Sequence, residues 1–278
     1  TDFQYYITNI YNMEKTNPSM EHSSLLAEGA YSMGTKGNKT QRIKDTNELV
    51  KETGYQVSAP HSNSEITTYT HKDDPNNVFI AHRGTQLKSN SRRNEKHNDL
   101  TADLMFAVGM GGHEAKMKSR KKKTNEIIKS LNPTQLHLGG HSLGGGTLND
   151  TIVNSKTVRK HLTSAQTFNA AANPIFTNGL SVSGNKKKLL DEKVTHHRIK
   201  NDGVSAGFLT NLPFGKLKTH SIEHDAGKGK SMLQNLVENT TSLGRAKIMT
   251  ERGAYAHGID HFHSGIIKKK KKNKKKKK

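Results

Sequence analysis

Residues 136–146 read Leu-His-Leu-Gly-Gly-His-Ser-Leu-Gly-Gly-Gly. The apolar pair Leu136 and Leu138 signals a short strand, which runs into a glycine-rich turn. Gly140-His141-Ser142-Leu143-Gly144 has the spacing G-x-S-x-G. That spacing has a physical reason. A serine on a sharp strand-to-helix turn takes strained backbone angles, and side chains at the flanking glycine positions collide with strand and helix. The turn exposes the serine hydroxyl and aims backbone N–H groups of the following helix at a developing negative charge. Gly144–Gly146 also permit that helix to pack closely on a sheet. An ordinary glycine-rich turn can contain the same five residues. The strand before it and the helix after it separate the two readings.

Outward from this turn, strands and helices alternate. Val78-Phe-Ile-Ala81 is an apolar run suited to a buried strand, and Ile66-Thr-Thr-Tyr-Thr70 is rich in β-branched residues. Residues 73–77 between them are turn-rich. Residues 100–108 form an apolar patch, a strand or the start of a helix. Residues 114–130 read as a basic surface helix that Asn132-Pro133 ends. After Ser142 a helix is expected from about Thr147 to Asn154, then strands at 165–169 and 194–199. This alternation predicts an α/β fold with a central, mostly parallel sheet flanked by helices. Residues 1–56 are polar with apolar residues at helical spacing (Ile7, Ile10 and Tyr11; Leu25, Leu26, Ala30 and Tyr31), and a third helix is expected over residues 45–52. The chain thus divides into an N-terminal helical segment, 1–56, packed on the core, a main domain, 57–267, and a disordered poly-Lys tail, 268–278.

The stretch GGHSLGGG at 139–146 resembles the nucleophile elbow of the class 3 (fungal-type) triacylglycerol lipases. Upstream, VFIAHRGT at 78–85 resembles that family's strand ending in Arg-Gly-Thr or Arg-Gly-Ser. The resemblance covers roughly residues 65–265 and is sharp at 78–85, 139–146, 201–213 and 256–262. It implies an α/β-hydrolase fold and a serine ester hydrolase with Ser142 as nucleophile. It implies too that Thr85 and Leu143 each supply a backbone N–H to the oxyanion hole; two donors from separate loops are what acyl transfer needs. One departure bears on substrate. Where the family has its lid, this chain has Gln86–Asp99, with Lys88, Arg92, Arg93 and Lys96 and no large apolar residue after Leu87. An amphipathic lid needs an apolar face. Strong interfacial activation on neutral fat is therefore not expected, and the basic loop suits an anionic phospholipid or a water-soluble ester.

A hydrolase elbow predicts the chain order Ser, then Asp or Glu, then His. Val194–Ile199 is followed by Lys200-Asn201-Asp202, and an Asn-Asp pair after a strand with Leu212-Pro213 beyond it again resembles the family. Asp202 is the expected acid, orienting the imidazole and stabilising its charged form; Asp191 and Asp225 are the reserves. Five histidines follow Asp202: His220, His224, His257, His261 and His263. Family members carry the base close to the C-terminus, followed shortly by aromatics, which the segment from Ala256 to Phe262 fits best. His257 is the expected base and His261 the alternative; His220 resembles a non-catalytic histidine after the acid loop. His257, His261 and His263 also form H-x₃-H-x-H, a pattern that can ligate zinc. The chain carries 16 histidines, so short clusters arise by chance, and it has no H-E-x-x-H. No metal or other cofactor is expected.

Composition narrows the class. Hydrophobic residues are 31% of the chain, well below the roughly 45–50% of ordinary domains, which predicts a small core and many polar loops. The absence of cysteine excludes disulfides, thiolate metal sites and a thiol nucleophile, and fits a reducing compartment. No stretch approaches about 20 consecutive apolar residues, and the N-terminus lacks the basic-then-apolar pattern of a signal peptide. A soluble protein, cytoplasmic or virion-associated, is expected. Abundant Lys, Asn, Ile and Thr hint at an A·T-rich genome, microbial or viral.

The formal net charge is +21, of which the ten lysines of Lys268–Lys278 supply ten, so the rest of the chain is basic as well. Such charge attracts the phosphates of an anionic membrane or of nucleic acid. No aromatic residue interleaves the terminal lysines, so any nucleic-acid contact through Lys268–Lys278 is expected to be nonspecific. Two accounts of the chain result. The first is a lipase or esterase cleaving carboxylic esters of lipids or small molecules through an acyl-enzyme. The second is a catalytically idle hydrolase fold that binds nucleic acid or membrane through its basic surface; an intact elbow argues against it.

Overall fold

The computed structural model describes residues 17–35, 37–84, 113–171, 182, 184–200, 202, 214–221 and 259–263. Seven strands lie side by side in chain order: β1 Tyr55–Val57, β2 Ile66–His71, β3 Asn77–His82, β4 Gln135–His141, β5 Leu162–Phe168, β6 Val194–Ile199 and β7 Lys216–His220. β1, β2 and β3 pair antiparallel, and every pairing from β3 to β7 is parallel. Six α-helices flank the sheet among the described residues: α1 Met20–Met33, α2 Lys39–Val50, α3 His113–Leu131, α4 Leu143–Asn154, α5 Lys156–His161 and α6 Gly184–Lys193. The protein is thus α/β, with a mostly parallel sheet between helices.

β3 shows why the sheet needs two covering layers. All six of its residues are buried, as expected for a strand with both faces covered. Its side chains alternate. Val78 and Ile80 join Leu136, Leu138 and Ala165 in a core closed by Ile127 and Ile128 of α3, Leu148 and Ile152 of α4, Val158 of α5 and Leu190 of α6. Phe79 and Ala81 point the other way, into a core closed by Leu26, Ala30 and Met33 of α1 and Val50 of α2. The parallel strands add in one direction, and right-handed crossovers that step one way keep their helices on one face. The opposite face is left to α1 and α2. Both are capped by side chains: Ser19 accepts from His22 N–H (3.1 Å) and Asn38 from Thr40 N–H (2.8 Å).

Several expectations are adjusted. The helix after Ser142 begins at Leu143, four residues earlier than its composition indicates. Glycine is a poor helix former, but packing holds Gly144–Gly146 in the first turn. The helix expected over residues 45–52 starts at Lys39. α3 is basic yet not wholly a surface helix, since Met117, Arg120, Thr124, Ile127 and Ile128 are buried. β1, β7, α5 and α6 carried no clear signal. β7, Lys-Leu-Lys-Thr-His, is a largely exposed sheet edge whose lysines blunt further pairing. The helix expected around Ile7, the apolar patch at 100–108, the lid-like stretch Gln86–Asp99 and the tail lie outside the described residues. Among the described residues no helix is long and apolar enough to cross a membrane.

Because β3 to β7 are parallel, their carboxyl ends share one edge of the sheet. That edge, where open α/β sheets bind ligands, carries Arg83 and Gly84, Ser142, Asn169 and Asp202.

Candidate active site

Ser142 is the hinge between β4 and α4. Its backbone sits at φ 57°, ψ −129°, a region non-glycine residues adopt at a cost of about 1–3 kcal/mol and only where their surroundings impose it. Three hydrogen bonds impose it here. The Ser142 N–H donates to Phe168 O (3.0 Å), and the Ser142 carbonyl accepts from Gly146 N–H (3.1 Å) and Ala171 N–H (2.9 Å). The flanking glycines are required sterically. A Cβ on Gly140 would stand 2.7 Å from Gly144 O, and one on Gly144 would stand 2.1 Å from His82 O. The serine hydroxyl is buried and makes no hydrogen bond among the described residues. An orphaned buried hydroxyl is costly and calls for a reason. The N–H groups of Leu143, Gly144 and Gly145 precede the first i→i−4 bond of α4, so they point out of the helix N-terminus beside the serine.

Gly144→Ala is expected to lower stability by about 3 kcal/mol or more, because the new methyl meets the β3 backbone and not a movable side chain. Urea unfolding measures this. An unchanged midpoint contradicts so close an approach of β3 to α4.

The end of β3 packs directly against the elbow. A Cβ on Gly84 would lie 2.2 Å from Tyr31 Oη, 2.7 Å from His141 O and 3.2 Å from Ser142 Cβ. Thr85, the expected oxyanion donor, is the next residue and lies outside the described set. Two side chains brace this segment, the buried Arg120 and the half-buried Tyr31, and neither was legible in the sequence. Arg120 Nη1 donates to Arg83 O (2.7 Å) and to Thr147 Oγ1 (3.1 Å), tying the β3 end to α4. Burial lowers the Arg120 pKa, and Glu65, 3.8 Å from Nη2, opposes the shift. Tyr31 reaches in from α1: its hydroxyl is 2.8 Å from His141 Nδ1 and bonded to the Gly84 backbone, and burial raises its pKa. His82 lies beneath, between Thr124 Oγ1 (3.0 Å) and Thr147 Oγ1 (3.4 Å). Burial, reinforced by Arg120, pushes its pKa down to about 3, so it is neutral.

Asp202 is buried at the same edge, two strands along from Ser142, with its N–H donating to Ile199 O (3.1 Å). Asn169 steadies the tips between them. It has a positive φ of 42°, donates its N–H to His197 O (2.8 Å) and accepts from Ile199 N–H at its side-chain oxygen (2.8 Å). The sequence marks Asn169 only as the end of a strand. The reserve acid Asp191 is at the opposite edge, three residues before β6 begins, where it accepts from Gly215 N–H (2.7 Å) and pairs with Lys187 (2.5 Å). The other reserve, Asp225, lies outside the described residues.

Of the five histidines, His224 and the expected base His257 lie outside the described residues. The backbone of His261 falls in the 3₁₀ turn Ile259–Phe262; its side chain is not among those described. His220 faces His197 (Nε2 to Nδ1, 3.0 Å). His263 is fully buried and directed at α1, with Nδ1 3.0 Å from Ser24 Oγ and Nε2 2.7 Å from Glu28 Oε2. Ser24, His263 and Glu28 have the composition of a catalytic triad without its geometry. The Ser24 hydroxyl donates to Glu21 O (2.9 Å) within its own helix, and the N–H groups of a helix interior are not free to hold an oxyanion. Their role is to fasten the C-terminal turn to α1. That turn also sets the Phe262 ring 5.0 Å from Phe168, whose carbonyl accepts the Ser142 N–H. Among the described residues no group of three metal-ligating side chains converges.

Compared with models of known families, with curated proteins and with solved structures, the chain shows no match.

Proposed function

We propose that this chain is a serine ester hydrolase of the α/β-hydrolase type, similar to the class 3 lipases, that cleaves carboxylic esters of lipids or small molecules. The observation that carries the reading is the Ser142 turn: a strained, hydrogen-bond-braced serine whose hydroxyl has no partner among the described residues, between two glycines at which a Cβ would meet backbone at 2.7 and 2.1 Å. Nothing in the packing of β4 on α4 requires a serine hydroxyl there, whereas a nucleophile does.

In this mechanism His257, with His261 the alternative, takes the Ser142 proton as Oγ attacks the ester carbonyl. Asp202 holds the imidazole and stabilises its cation. The N–H groups of Leu143 and Thr85 receive the oxyanion at the N-terminus of α4, where the helix dipole favours negative charge. Collapse expels the alcohol with the proton from His257, and water then releases the acid by the reverse steps. Three features support the assembly. Ser142 and Asp202 share the carboxyl edge; Arg120 and Tyr31 fix the segment leading to Thr85; the turn Ile259–Phe262 begins two residues after His257 and is held to α1 through His263.

Hydrolysis of p-nitrophenyl esters of increasing acyl length tests the proposal. Turnover is expected, and the preferred length separates an esterase from a lipase. No turnover across the series would bring forward the idle fold.

A further inference from the structure

Charge is divided unevenly between the two faces of the sheet. α1 and α2, on one face, contain three Lys or Arg and four Asp or Glu. On the other face α3, α5 and α6 contain fourteen Lys or Arg against four Asp or Glu, and α4 between them adds one Asp. Few of these acids offset the cations: Glu126 pairs with Lys123 (3.6 Å), and Asp191 is held by Lys187 and the Gly215 N–H. Lys122 and Lys129 on α3, Lys156 and Lys160 on α5 and Lys188 on α6 are exposed and make no ion pair among the described residues. The fold also holds like charges together where α5 meets α6. Arg159 is fixed by donating to the carbonyls of Ile152 (3.1 Å) and Val153, and its charge adds to burial in lowering the pKa of Lys186. Concentrated repulsion of this kind is relieved by a bound polyanion.

We propose that the face formed by α3, α5 and α6 is a docking surface for the phosphodiester backbone of nucleic acid, independent of the ester-cleaving edge. Two features favour this over a bilayer. The first is composition. Leu217 on β7 is the large hydrophobic residue exposed among the described residues, and these three helices expose none, so they offer nothing to insert between lipids. The second is placement. α3 returns from the carboxyl edge of β3 to the amino edge of β4, and α5 lies at the amino edge where the chain enters β5. The cations of these helices therefore run down the side of the sheet and are not gathered at the edge that holds Ser142, which a bilayer supplying substrate must meet. Cations spread along a face match phosphates spread along a strand. The exposed surface of these helices shows no aromatic side chain to stack on bases, so recognition is of the backbone and independent of sequence.

The test uses the full chain, so the terminal lysines are the same in every sample. Lys122, Lys156, Lys160 and Lys188 are changed together to Glu in one variant and to Gln in a second. Binding to a 20-base-pair duplex is measured by fluorescence anisotropy over a salt series, with thermal unfolding as the check on folding. Each lost phosphate contact removes about 0.9 from the slope of log K against log salt. The Gln variant is expected to lose about 3 to 4 from that slope and at least about tenfold in affinity at 0.15 M salt, the Glu variant more, with ester turnover unchanged. Two results overturn the proposal. One is an unaltered slope in folded variants, which assigns DNA binding to the tail alone. The other is retained DNA binding with lost binding to phosphatidylserine vesicles, which makes the face a membrane surface.

Discussion

Ser142→Ala is expected to cut ester turnover by at least about a thousandfold while leaving the protein as stable as before or more so. The two effects belong together. The Ser142 backbone is held by bonds to Phe168, Gly146 and Ala171, none of which involves the hydroxyl, so alanine takes the same turn. The hydroxyl is buried without a partner among the described residues, so its removal relieves a desolvation cost of about 1 kcal/mol. A serine kept for structure behaves in the opposite way, losing stability with its hydroxyl. Parallel measurement of kcat/KM and of the urea midpoint separates the two roles.

Acid is expected to unfold the protein above pH 4. His82, His137, His196 and His197 are all buried, and burial is the first cause that pushes their pKa values down, to about 3, 4, 4 and 3. Each is neutral in the fold, and each binds a proton near pH 6.5 once unfolded. Between those limits the unfolded chain holds more protons, so the stability these groups contribute is complete above pH 6.5 and is lost as pH falls. Each histidine costs about 1.4 kcal/mol per pH unit. Four together remove roughly 5 kcal/mol per unit, against a total of about 5–15 kcal/mol for an ordinary domain. The high positive charge of the chain adds self-repulsion. Circular dichroism against pH is expected to show cooperative loss with a midpoint near pH 5. A signal unchanged down to pH 4 contradicts the burial of these four rings in neutral form.

What the sequence disclosed follows from how local each feature is. The elbow was legible because strand, turn and helix are consecutive and the glycine collisions arise within five residues and the strand beside them. β2, β3 and β6 were legible because β-branched and apolar runs mark buried strands. β7 was not, since its Lys-Leu-Lys-Thr-His is mostly exposed and its place depends on pairing with β6. The sequence places the start of α4 too late because three glycines argue against a helix, and only packing on Ala170, Ala171 and the β3 end overrides them. Tyr31, Arg120 and Asn169 illustrate the harder case. A tyrosine in a polar N-terminal helix, an arginine in a run of lysines and an asparagine after a strand carry no local sign of meeting beside Ser142. His263 is similar: its sequence places it in a histidine cluster suited to a metal, and its packing assigns it to Ser24 and Glu28. His220 is likewise engaged through packing, with its ring against His197.

The measurement that tests the central claim most directly is labelling of the native protein with a fluorophosphonate, followed by peptide mass analysis. The account predicts one adduct per chain, on Ser142, absent from Ser142→Ala and strongly reduced in Asp202→Asn. An unlabelled Ser142, under conditions in which an active serine hydrolase is fully labelled, contradicts it.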